Sequence, residues 1–359
     1  MATIAPLVAG GTFSVRDFRD AKRAWSERLL LSPEATPIVH VAARRAGAHA
    51  AAAPARARPA RRNPNVVGVG IAEKLVGGKA TGVLAVKFFV KTKYPAGAVA
   101  RGLLLPKHID GLPVDVEETG VFRAFAKRRP PAAARLPNPR VRMRPAVPAC
   151  SVGFRIAGDQ FVMCGTFGAL VKTSRRLYIL SNNHVLADEN RLTLASPIFQ
   201  PALMDGGDID TDEIARLSRF VRLRANRYNR IDAALAEPLA RNLVGRDILH
   251  IGAPKGTVRA EIDMMVHKFG RTTSYTAGRV TSTDTDVSVE YETAEFTFES
   301  QIIVSGSGNQ MFSDSGDSGS IILQRGTNAA VGLLFGGSPT YTIANHIGQV
   351  LKSLRVRMA

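Results

Sequence analysis

The chain has 359 residues, 45% of them apolar, and carries a formal net charge of +18 at pH 7. A chain of this length and apolar content can bury a full core, which excludes disorder throughout and allows two domains. It contains no apolar run of about 18 residues, and its first residues lack the basic and apolar pattern of a signal peptide, so the sequence predicts no membrane span and favours a cytoplasmic location.

Much of the positive charge lies in two segments rich in Ala and Pro. Residues 41–62 contain six arginines and no acidic residue, and residues 127–144 contain seven basic residues and no acidic residue. This composition is typical of solvated linkers. Binding of an anionic partner through these two basic linkers stays open as the alternative, and such binding would weaken strongly with added salt.

The first third of the chain predicts a small α/β region. Apolar residues at helical spacing indicate a helix over Val15–Leu30, with Ser14 as its N-cap and Asp17 three residues on. Two apolar runs, Val66–Ile71 and Val83–Val90, are separated by a Gly-Gly pair, which predicts a hairpin. Together with further short apolar segments and the two basic linkers, these elements form a predicted N-terminal domain over residues 1–148.

From Ser151 onward, short apolar runs alternate with Gly, Asn, Asp and Arg, which is typical of an all-β barrel or sandwich. Twelve strands are predicted, the number that two six-stranded antiparallel barrels need, and the pattern of Ile347–Val356 predicts a closing helix. The fold class is therefore mainly β, with residues 149–359 as the second domain. The predicted strands are Ser151–Ile156, Phe161–Val171, Leu177–Ser181, Arg219–Leu223, Ala233–Leu235, Met264–Phe269, Arg279–Thr281, Val287–Tyr291, Phe296–Val304, Ser320–Gln324, Ala330–Phe335 and Tyr341–Ala344.

The two cysteines, Cys150 and Cys164, are too few for a disulfide scaffold. They flank a predicted hairpin but are offset along it, so a bond between them needs favourable geometry. We expect two reduced, buried thiols, with pairing as the alternative.

A candidate nucleophile lies in Gly316-Asp317-Ser318-Gly319. Glycines beside a serine allow a sharp turn that points two backbone N–H groups at one spot, where they can stabilise an oxyanion. A flexible serine-glycine loop is the alternative interpretation of this motif taken alone.

A serine nucleophile needs a base, and a catalytic histidine needs a carboxylate to orient it. His184 follows the apolar strand Leu177–Leu180, in a turn that presents the imidazole at the strand's end. Asp232 is the lone acid at the entry to a small-residue strand, where burial is unfavourable unless a partner is present.

With these residues in the order His184, Asp232, Ser318, the chain from about Cys150 to Arg357 resembles the trypsin-like, chymotrypsin-fold serine peptidases of bacterial type. The resemblance implies that Ser318 attacks the scissile carbonyl of a polypeptide, that His184 takes and returns the proton, and that Asp232 orients His184. It also implies an oxyanion hole from the backbone N–H groups of Gly316 and Ser318, with no cofactor and no metal.

Departures from the family pattern bear on specificity. Phe312 stands where members that cleave after Arg or Lys have an aspartate, so we expect a small or medium apolar side chain before the cleaved bond. Phe335-Gly336-Gly337 matches the strand on which a substrate peptide pairs, and these residues complete the predicted substrate pocket. A protease-fold protein that acts only as a scaffold, or as an anionic-partner binder, is the alternative function.

Two acidic sites carry open questions. In zymogen relatives the acid that matches Asp317 pairs with a new N-terminus made by cleavage. In this chain such a cut would lie near residues 127–144. The alternative is that local backbone N–H groups hold Asp317 without any cleavage. The segment Asp205–Glu213 offers oxygen ligands for calcium but lacks a full calcium-loop pattern, so a solvated acidic loop is expected there.

Overall fold

The computed structural model describes residues 13–31, 63–124, 136–155, 163–308 and 310–359, and this part of the chain is mainly β with few helices. The helices are α1 Val15–Leu29, α2 Asn183–Leu186 and α3 Ile347–Leu354. The strands are β1 Val66–Val76, β2 Lys79–Val90, β3 His108–Ile109, β4 Leu112–Glu118, β5 Phe122–Arg123, β6 Ser151–Val152, β7 Gly165–Thr166, β8 Ala169–Lys172, β9 Leu177–Ser181, β10 Pro197–Phe199, β11 Glu213–Phe220, β12 Ala234–Pro238, β13 Met265–Gly270, β14 Ser274–Glu290, β15 Glu295–Gly306, β16 Ile321–Gln324, β17 Ala330–Gly337, β18 Tyr341–His346 and β19 Arg357–Met358.

The chain forms two compact units that are not continuous in sequence. The first contains the chain up to Arg123 together with Arg224–Asn229 and Thr281–Gln301, and the second contains the remainder. Strands β14 and β15 therefore each contribute residues to both units. The predicted domain boundary near residue 148 stays a prediction.

Helix α1 of the first unit begins with the predicted capping box. The Ser14 hydroxyl accepts a hydrogen bond from the Asp17 N–H, and the Asp17 carboxylate accepts one from the Ser14 N–H at 2.6 Å. Its buried face repeats about every four residues, as an amphipathic helix requires. The buried residues are Phe18, Lys22, Ser26 and Leu29.

Strands β1 and β2 form the predicted antiparallel hairpin. Gly77 and Gly78 in its turn have φ values of 58° and 77°, a region that residues with a Cβ rarely adopt. Strand β4 extends this sheet by pairing in parallel with β2, and Trp25 of α1 packs edge-on against Phe88 at 5.4 Å between ring centroids. Helix and sheet thus share one apolar core.

Strand β14 corrects the prediction of two separate strands at Arg279–Thr281 and Val287–Tyr291, because one continuous strand covers the first and all of the second except Tyr291. The residues between the two predicted strands are polar. The Ser282 hydroxyl donates to the Ile71 carbonyl at 2.8 Å, and the Thr285 hydroxyl donates to Ser282 at 2.7 Å. Since these buried hydroxyls are satisfied locally, they do not interrupt the strand.

The second unit contains two larger antiparallel groups of strands and the short antiparallel pair β6–β7. The first is a six-stranded sheet in the order β10-β11-β12-β9-β8-β19. In the second, β14 pairs with β13, and the order continues β13-β16-β17-β18-β15. Strand β19 lies outside every predicted element, whereas α3 confirms the predicted closing helix. The closure of each group into a six-stranded barrel stays a prediction.

The register of the first sheet places two predicted site residues at one edge. Strand β12 pairs with β9 so that Ala234 lies opposite Ser181. Asp232, just before β12, and His184, just after β9, therefore meet at the same end of the sheet. Ser318 reaches the site from the second group of strands, in the turn before β16.

Candidate active site

His184 lies in the short helix α2, which begins as β9 ends. All four residues of α2 are buried, and the imidazole Nδ1 lies 2.5 Å from Oδ2 of Asp232, which is fully buried. The other oxygen, Oδ1, accepts hydrogen bonds from the backbone N–H groups of Asn183 at 2.6 Å and His184 at 3.3 Å. These N–H groups begin a helix and have no partner within it, so one carboxylate both caps α2 and orients the imidazole.

The loop after α2 is held against it by a reciprocal amide pair. The Asn183 amide donates to Oδ1 of Asn190 at 2.9 Å, and the Asn190 N–H donates back to Asn183 at 3.0 Å. Asp188, Glu189 and Asn190 all have positive φ, between 50° and 78°. The interlock fixes a backbone conformation that non-glycine residues seldom adopt.

Ser318 lies in a turn that demands glycine on both sides. Gly316 and Gly319 have φ values of 93° and 97°. A Cβ at Gly316 would lie 2.5 Å from the Thr272 hydroxyl oxygen, and one at Gly319 would lie 2.2 Å from the Ser181 hydroxyl oxygen. Both positions are therefore closed to larger residues, and the turn is packed rather than a flexible loop.

The serine turn packs against the strands that carry His184. A Cβ at Gly165 would lie 2.6 Å from the Val185 side chain and 3.0 Å from the Ser318 carbonyl oxygen, so Gly165 lies between the neighbour of His184 and the serine. Thr166 adds two bonds to the turn: its N–H donates to the Ser318 carbonyl at 2.8 Å, and its hydroxyl donates to the Gly316 carbonyl at 2.9 Å. No sequence pattern indicates Gly165 or Thr166, because both contact residues that are distant in the chain.

In the described part of the chain, no group accepts a hydrogen bond from the backbone N–H of Gly316 or of Ser318. The Ser318 hydroxyl lies 3.5 Å from the Phe335 carbonyl oxygen in β17. The predicted oxyanion-hole donors thus have no acceptor within the described residues.

Asp317 is fully buried and paired with Lys268 of β13, at 3.2 Å from Nζ to Oδ2. Its carboxylate also accepts hydrogen bonds from the backbone N–H groups of Thr272, Thr273 and Asp314. Burial lowers the pKa of Lys268, and the charge of Asp317 opposes this shift. Of the two interpretations of Asp317, the structure supports local donors, with Lys268 as an additional partner that the sequence did not indicate.

Arg271 forms a second ion pair beside the same turn. Its guanidinium donates to both carboxylate oxygens of Asp205, at 2.7 and 2.5 Å, and Asp205 also accepts from the Ser151 hydroxyl at 2.6 Å. Burial, the largest single effect, lowers the pKa of Arg271, but the hydrogen bonds with Asp205 and the surrounding negative charges together outweigh it and raise the pKa. The Arg271 side chain also lies where a Cβ on Gly316 would point, so the Arg271–Asp205 pair packs against one side of the serine turn.

The acidic segment Asp205–Glu213 is therefore not simply a solvated loop. Asp205 holds Arg271, and Asp212 pairs with Arg142 at 2.6 Å and Arg144 at 2.9 Å. Among the residues that the structure describes, no group of three or more His, Cys, Asp or Glu side chains could hold a metal ion. Asp205 and Asp212, two of the carboxylates considered for calcium, are thus paired with arginines, whereas Asp208 and Asp210 are exposed as expected of a solvated acidic loop.

The same contacts correct the interpretation of residues 136–144 as a solvated linker. Arg142 and Arg144 bind Asp212, and the Arg140 guanidinium donates to the Arg271 carbonyl at 3.3 Å. Three arginines assigned to a free basic linker thus pack against the folded chain. Residues 41–62 and 127–135 lie outside the described residues.

The predicted pocket residues lie in or beside the second group of strands. Phe312 is buried in a core with residues of β15 and β17, and the Lys268 ammonium lies 5.9 Å from its ring centroid. Gly336 and Gly337 pair with β18, whereas β16 pairs with β17 only as far as Leu333.

Neither cysteine forms a disulfide and both are buried, as expected. Strand β6 pairs with β7 in a register that places Ser151 opposite Thr166, so Cys150 and Cys164 are offset along the pair. Burial raises the pKa of Cys150 to about 12. In the described residues, no helix is long and apolar enough to cross a membrane.

Comparisons with known proteins bear on this site. Residues 180–338 match the sequence model of peptidase family S64. No curated protein matches the chain.

Solved structures of bacterial and other serine proteases are similar at low identity. A glutamic-acid-specific serine protease covers 59% of this chain with 100% of its own, at 14% identity and a TM-score of 0.42. Protease A of Thermobifida fusca covers 59% with 97% of its own, at 13% identity and a TM-score of 0.41. A chymotrypsin of Cellulomonas bogoriensis covers 59% with 97% of its own, at 17% identity and a TM-score of 0.39.

The segment matched by the peptidase family contains His184, Asp232 and Ser318. The match confirms the predicted resemblance of this chain to the trypsin-like, chymotrypsin-fold serine peptidases.

Proposed function

We propose that the chain is a serine endopeptidase in which His184, Asp232 and Ser318 act as a triad through an acyl-enzyme. The match to a peptidase family supports a protease function, and the triad is our assignment within it. The observation that carries it is the contact of Asp232 Oδ2 with His184 Nδ1 at 2.5 Å, at a sheet edge against which the Ser318 turn packs.

In this mechanism Ser318 Oγ attacks the scissile carbonyl carbon while the imidazole of His184 takes the hydroxyl proton through Nε2. Asp232 holds the Nδ1–H tautomer and stabilises the imidazolium that forms. His184 then gives the proton to the leaving amine, and the acyl-enzyme remains. A water, activated by the same imidazole, releases the second product.

The negative charge that develops on the carbonyl oxygen is stabilised by the N–H groups of Gly316 and Ser318. Such donors lower the barrier by about 3 kcal/mol or more each in comparable sites. Their direction depends on the turn, and the turn is held by Lys268 and Asp317 on one side and by Arg271 on the other.

For specificity, we propose that a small or medium apolar side chain precedes the cleaved bond and that the substrate backbone pairs with β17 near Gly336 and Gly337. Phe312 supplies an apolar ring where Arg- or Lys-specific members have a carboxylate. Asp317, the acid next to Ser318, is fully buried and paired with Lys268. This favours apolar over basic substrates.

The test is digestion of a peptide library by the wild type and by Ser318→Ala, with products identified by mass spectrometry. We expect the variant to lose cleavage by a factor of about 10⁴ to 10⁶. Cleavage sites of the wild type should show apolar rather than basic residues before the cut. Equal digestion by both proteins would reject the mechanism and leave the protease-fold scaffold as the better interpretation.

A further inference from the structure

Asp232 is fixed through its backbone as well as through its carboxylate. The Asn182 side-chain amide donates to the Asp232 carbonyl at 2.8 Å. On the other side, the Asp232 N–H donates to Oδ1 of Asn345 at 2.9 Å. All three residues are fully buried, so neither bond competes with water, and together the two amides hold the peptide groups on both sides of the Asp232 α-carbon.

Asn345 differs from Asn182 in where it comes from. Asn182 directly precedes α2, close to His184 in sequence, whereas Asn345 belongs to β18 in the second group of strands. In that group Asn345 lies opposite Leu333 of β17. The Asn345 bond therefore connects the carboxylate-bearing segment of the first sheet to a strand of the other group.

The neighbouring strand, β17, holds the serine turn. The Gly319 N–H donates to the Leu334 carbonyl at 2.9 Å, and the Leu334 N–H donates to the Ser320 carbonyl at 3.0 Å. Strands β17 and β18 pair along Gly332–Gly337. The paired strands β17 and β18 are thus hydrogen-bonded to both parts of the site. Strand β18 bonds to Asp232, and β17 bonds to the turn that carries Ser318.

We propose that Asn345 is a positioning residue that sets the separation between the Asp232–His184 pair and Ser318. The inference rests on the proposed function and deepens it. Asn345 acts through the Asp232 N–H, which its side-chain oxygen accepts. Without its acceptor oxygen, Asp232 and the imidazole bonded to it can shift relative to the serine, while the substrate-binding edge of β17 is unchanged. A displacement of about 1 Å reduces the rate of such a reaction by about 100-fold.

The first test compares Asn345→Leu, which has similar bulk and no acceptor, with Asn345→Asp, which keeps the shape and the acceptor oxygen. We expect kcat of the Leu variant to fall by about 10- to 100-fold with KM changed less than about 2-fold. In this fully buried site the new carboxyl group stays protonated, because an unpaired charge there is unfavourable, and its carbonyl oxygen still accepts the Asp232 N–H bond. The Asp variant should therefore keep at least about 10 times the kcat of the Leu variant. Equal kcat for the two variants would overturn the proposal, as would a Leu variant with wild-type kcat.

A spectroscopic readout separates positioning from general stability. The proton between His184 Nδ1 and Asp232 gives a downfield proton NMR resonance that reports this contact directly. We expect Asn345→Leu to shift or broaden it, and Asn345→Asp to restore it. As a control, Asn328→Ala removes another side-chain amide, bonded to His267 at 3.1 Å, and should leave both the resonance and kcat unchanged.

If Asn345→Leu does not fold, the same resonance is measured in Asn345→Asp and in the control. A wild-type signal in the Asp variant supports the proposal. Loss of the signal in that variant contradicts it. Ser318→Ala keeps the two ideas distinguishable. Loss of cleavage in Ser318→Ala together with wild-type kcat in Asn345→Leu rejects the role of Asn345 alone. Full cleavage by Ser318→Ala rejects the proposed function itself.

Discussion

Lys22 in the first compact unit and Lys268 in the second are both buried ammonium groups, but they meet different numbers of carboxylates. Lys22 contacts Asp284 and Asp286, each at 2.7 Å. Burial alone lowers the pKa of Lys22, yet the two carboxylates outweigh it and the pKa is raised. Lys268 has only Asp317, and there burial prevails and the pKa is lowered.

The difference shows what each charge does. For Lys22, the two carboxylates more than offset the effect of burial on its pKa. The lysine joins helix α1 to β14 within the first unit, so its role is to stabilise the fold. For Lys268, the single carboxylate does not offset the effect of burial on its pKa. That carboxylate belongs to Asp317, which is next to the proposed nucleophile. Lys268 is buried at a net desolvation penalty, and its ion pair with Asp317 ties β13 to the turn that carries Ser318.

The largest expected effect is that of Lys268→Met. Removing the ammonium leaves Asp317 buried and unpaired, which is unfavourable by about 3–5 kcal/mol, so the carboxylate moves or is protonated and the turn distorts. We expect kcat/KM to fall at least about 100-fold. In the double variant Lys268→Met, Asp317→Asn, part of the lost stability should return, since no unpaired charge is left. Wild-type kcat/KM in Lys268→Met would break the comparison.

Lys22→Met should have the opposite signature. Two carboxylates are left without their cation, so we expect the free energy of unfolding to fall by about 3 kcal/mol, measured by urea denaturation. Activity per folded molecule should be unchanged, because Lys22 has no contact with the proposed site. A loss of kcat/KM comparable to that of Lys268→Met would show that the two lysines do not differ in role.

The two pKa directions predict different responses to alkaline pH. The folded pKa of Lys268 is below the ordinary 10.5, so between these two values the unfolded chain binds more protons and the contribution of Lys268 to stability rises with pH. Activity should fall over the same window, because Asp317 loses its cation. The folded pKa of Lys22 is above 10.5, so its contribution is complete below 10.5 and is lost at higher pH.

The variant for this measurement is Lys268→Arg, which keeps a charge that does not titrate in this range. Its alkaline loss of kcat/KM should move to higher pH, if the larger side chain is accommodated. If a folded and active Arg variant loses kcat/KM at the same alkaline pH as the wild type, a group other than Lys268 causes that loss.

A smaller effect is expected for Thr273→Val. The Thr273 hydroxyl accepts from Lys268 at 2.5 Å and donates to Asp317 at 2.6 Å, so it bridges the ion pair. Its removal should reduce stability by about 1–2 kcal/mol and kcat/KM by less than about 10-fold, since the direct ion pair is kept. Thermal unfolding and steady-state kinetics check both values.

The smallest effect is that of Arg23→Ala on the exposed face of α1. The pair Arg23–Glu27 is largely solvated, at 3.2 Å, and such helix pairs contribute about 0.3–0.5 kcal/mol. A change in unfolding free energy well above 1 kcal/mol would show that exposed charges on α1 matter as much as the buried Lys22.

The triad candidates were accessible from the sequence because each has a local signal. Ser318 is framed by glycines that the turn requires, His184 follows an apolar strand, and Asp232 is a lone acid before a small-residue strand. Helix α1 was predictable for the same reason, since its capping box and apolar spacing lie within one segment.

The supporting contacts were not accessible, because each joins residues distant in sequence. Lys268 reads as one basic residue in a strand until the register of β13 places it against Asp317. Asp205 belongs to a segment that reads as a solvated acidic loop, and only the fold brings Arg271 to it. Asn345 has no motif at all, so its bond to Asp232 follows from three-dimensional placement alone.

The most direct test of the central claim is the rate at which a fluorophosphonate modifies the protein, followed by peptide mapping of the modified residue. We predict modification at Ser318 alone, and a rate lower by about 10³- to 10⁴-fold in Asp232→Asn, where the imidazole is no longer held in the reactive tautomer. Modification at another residue, or an unchanged rate in Asp232→Asn, would contradict the assignment of His184, Asp232 and Ser318 as one catalytic unit.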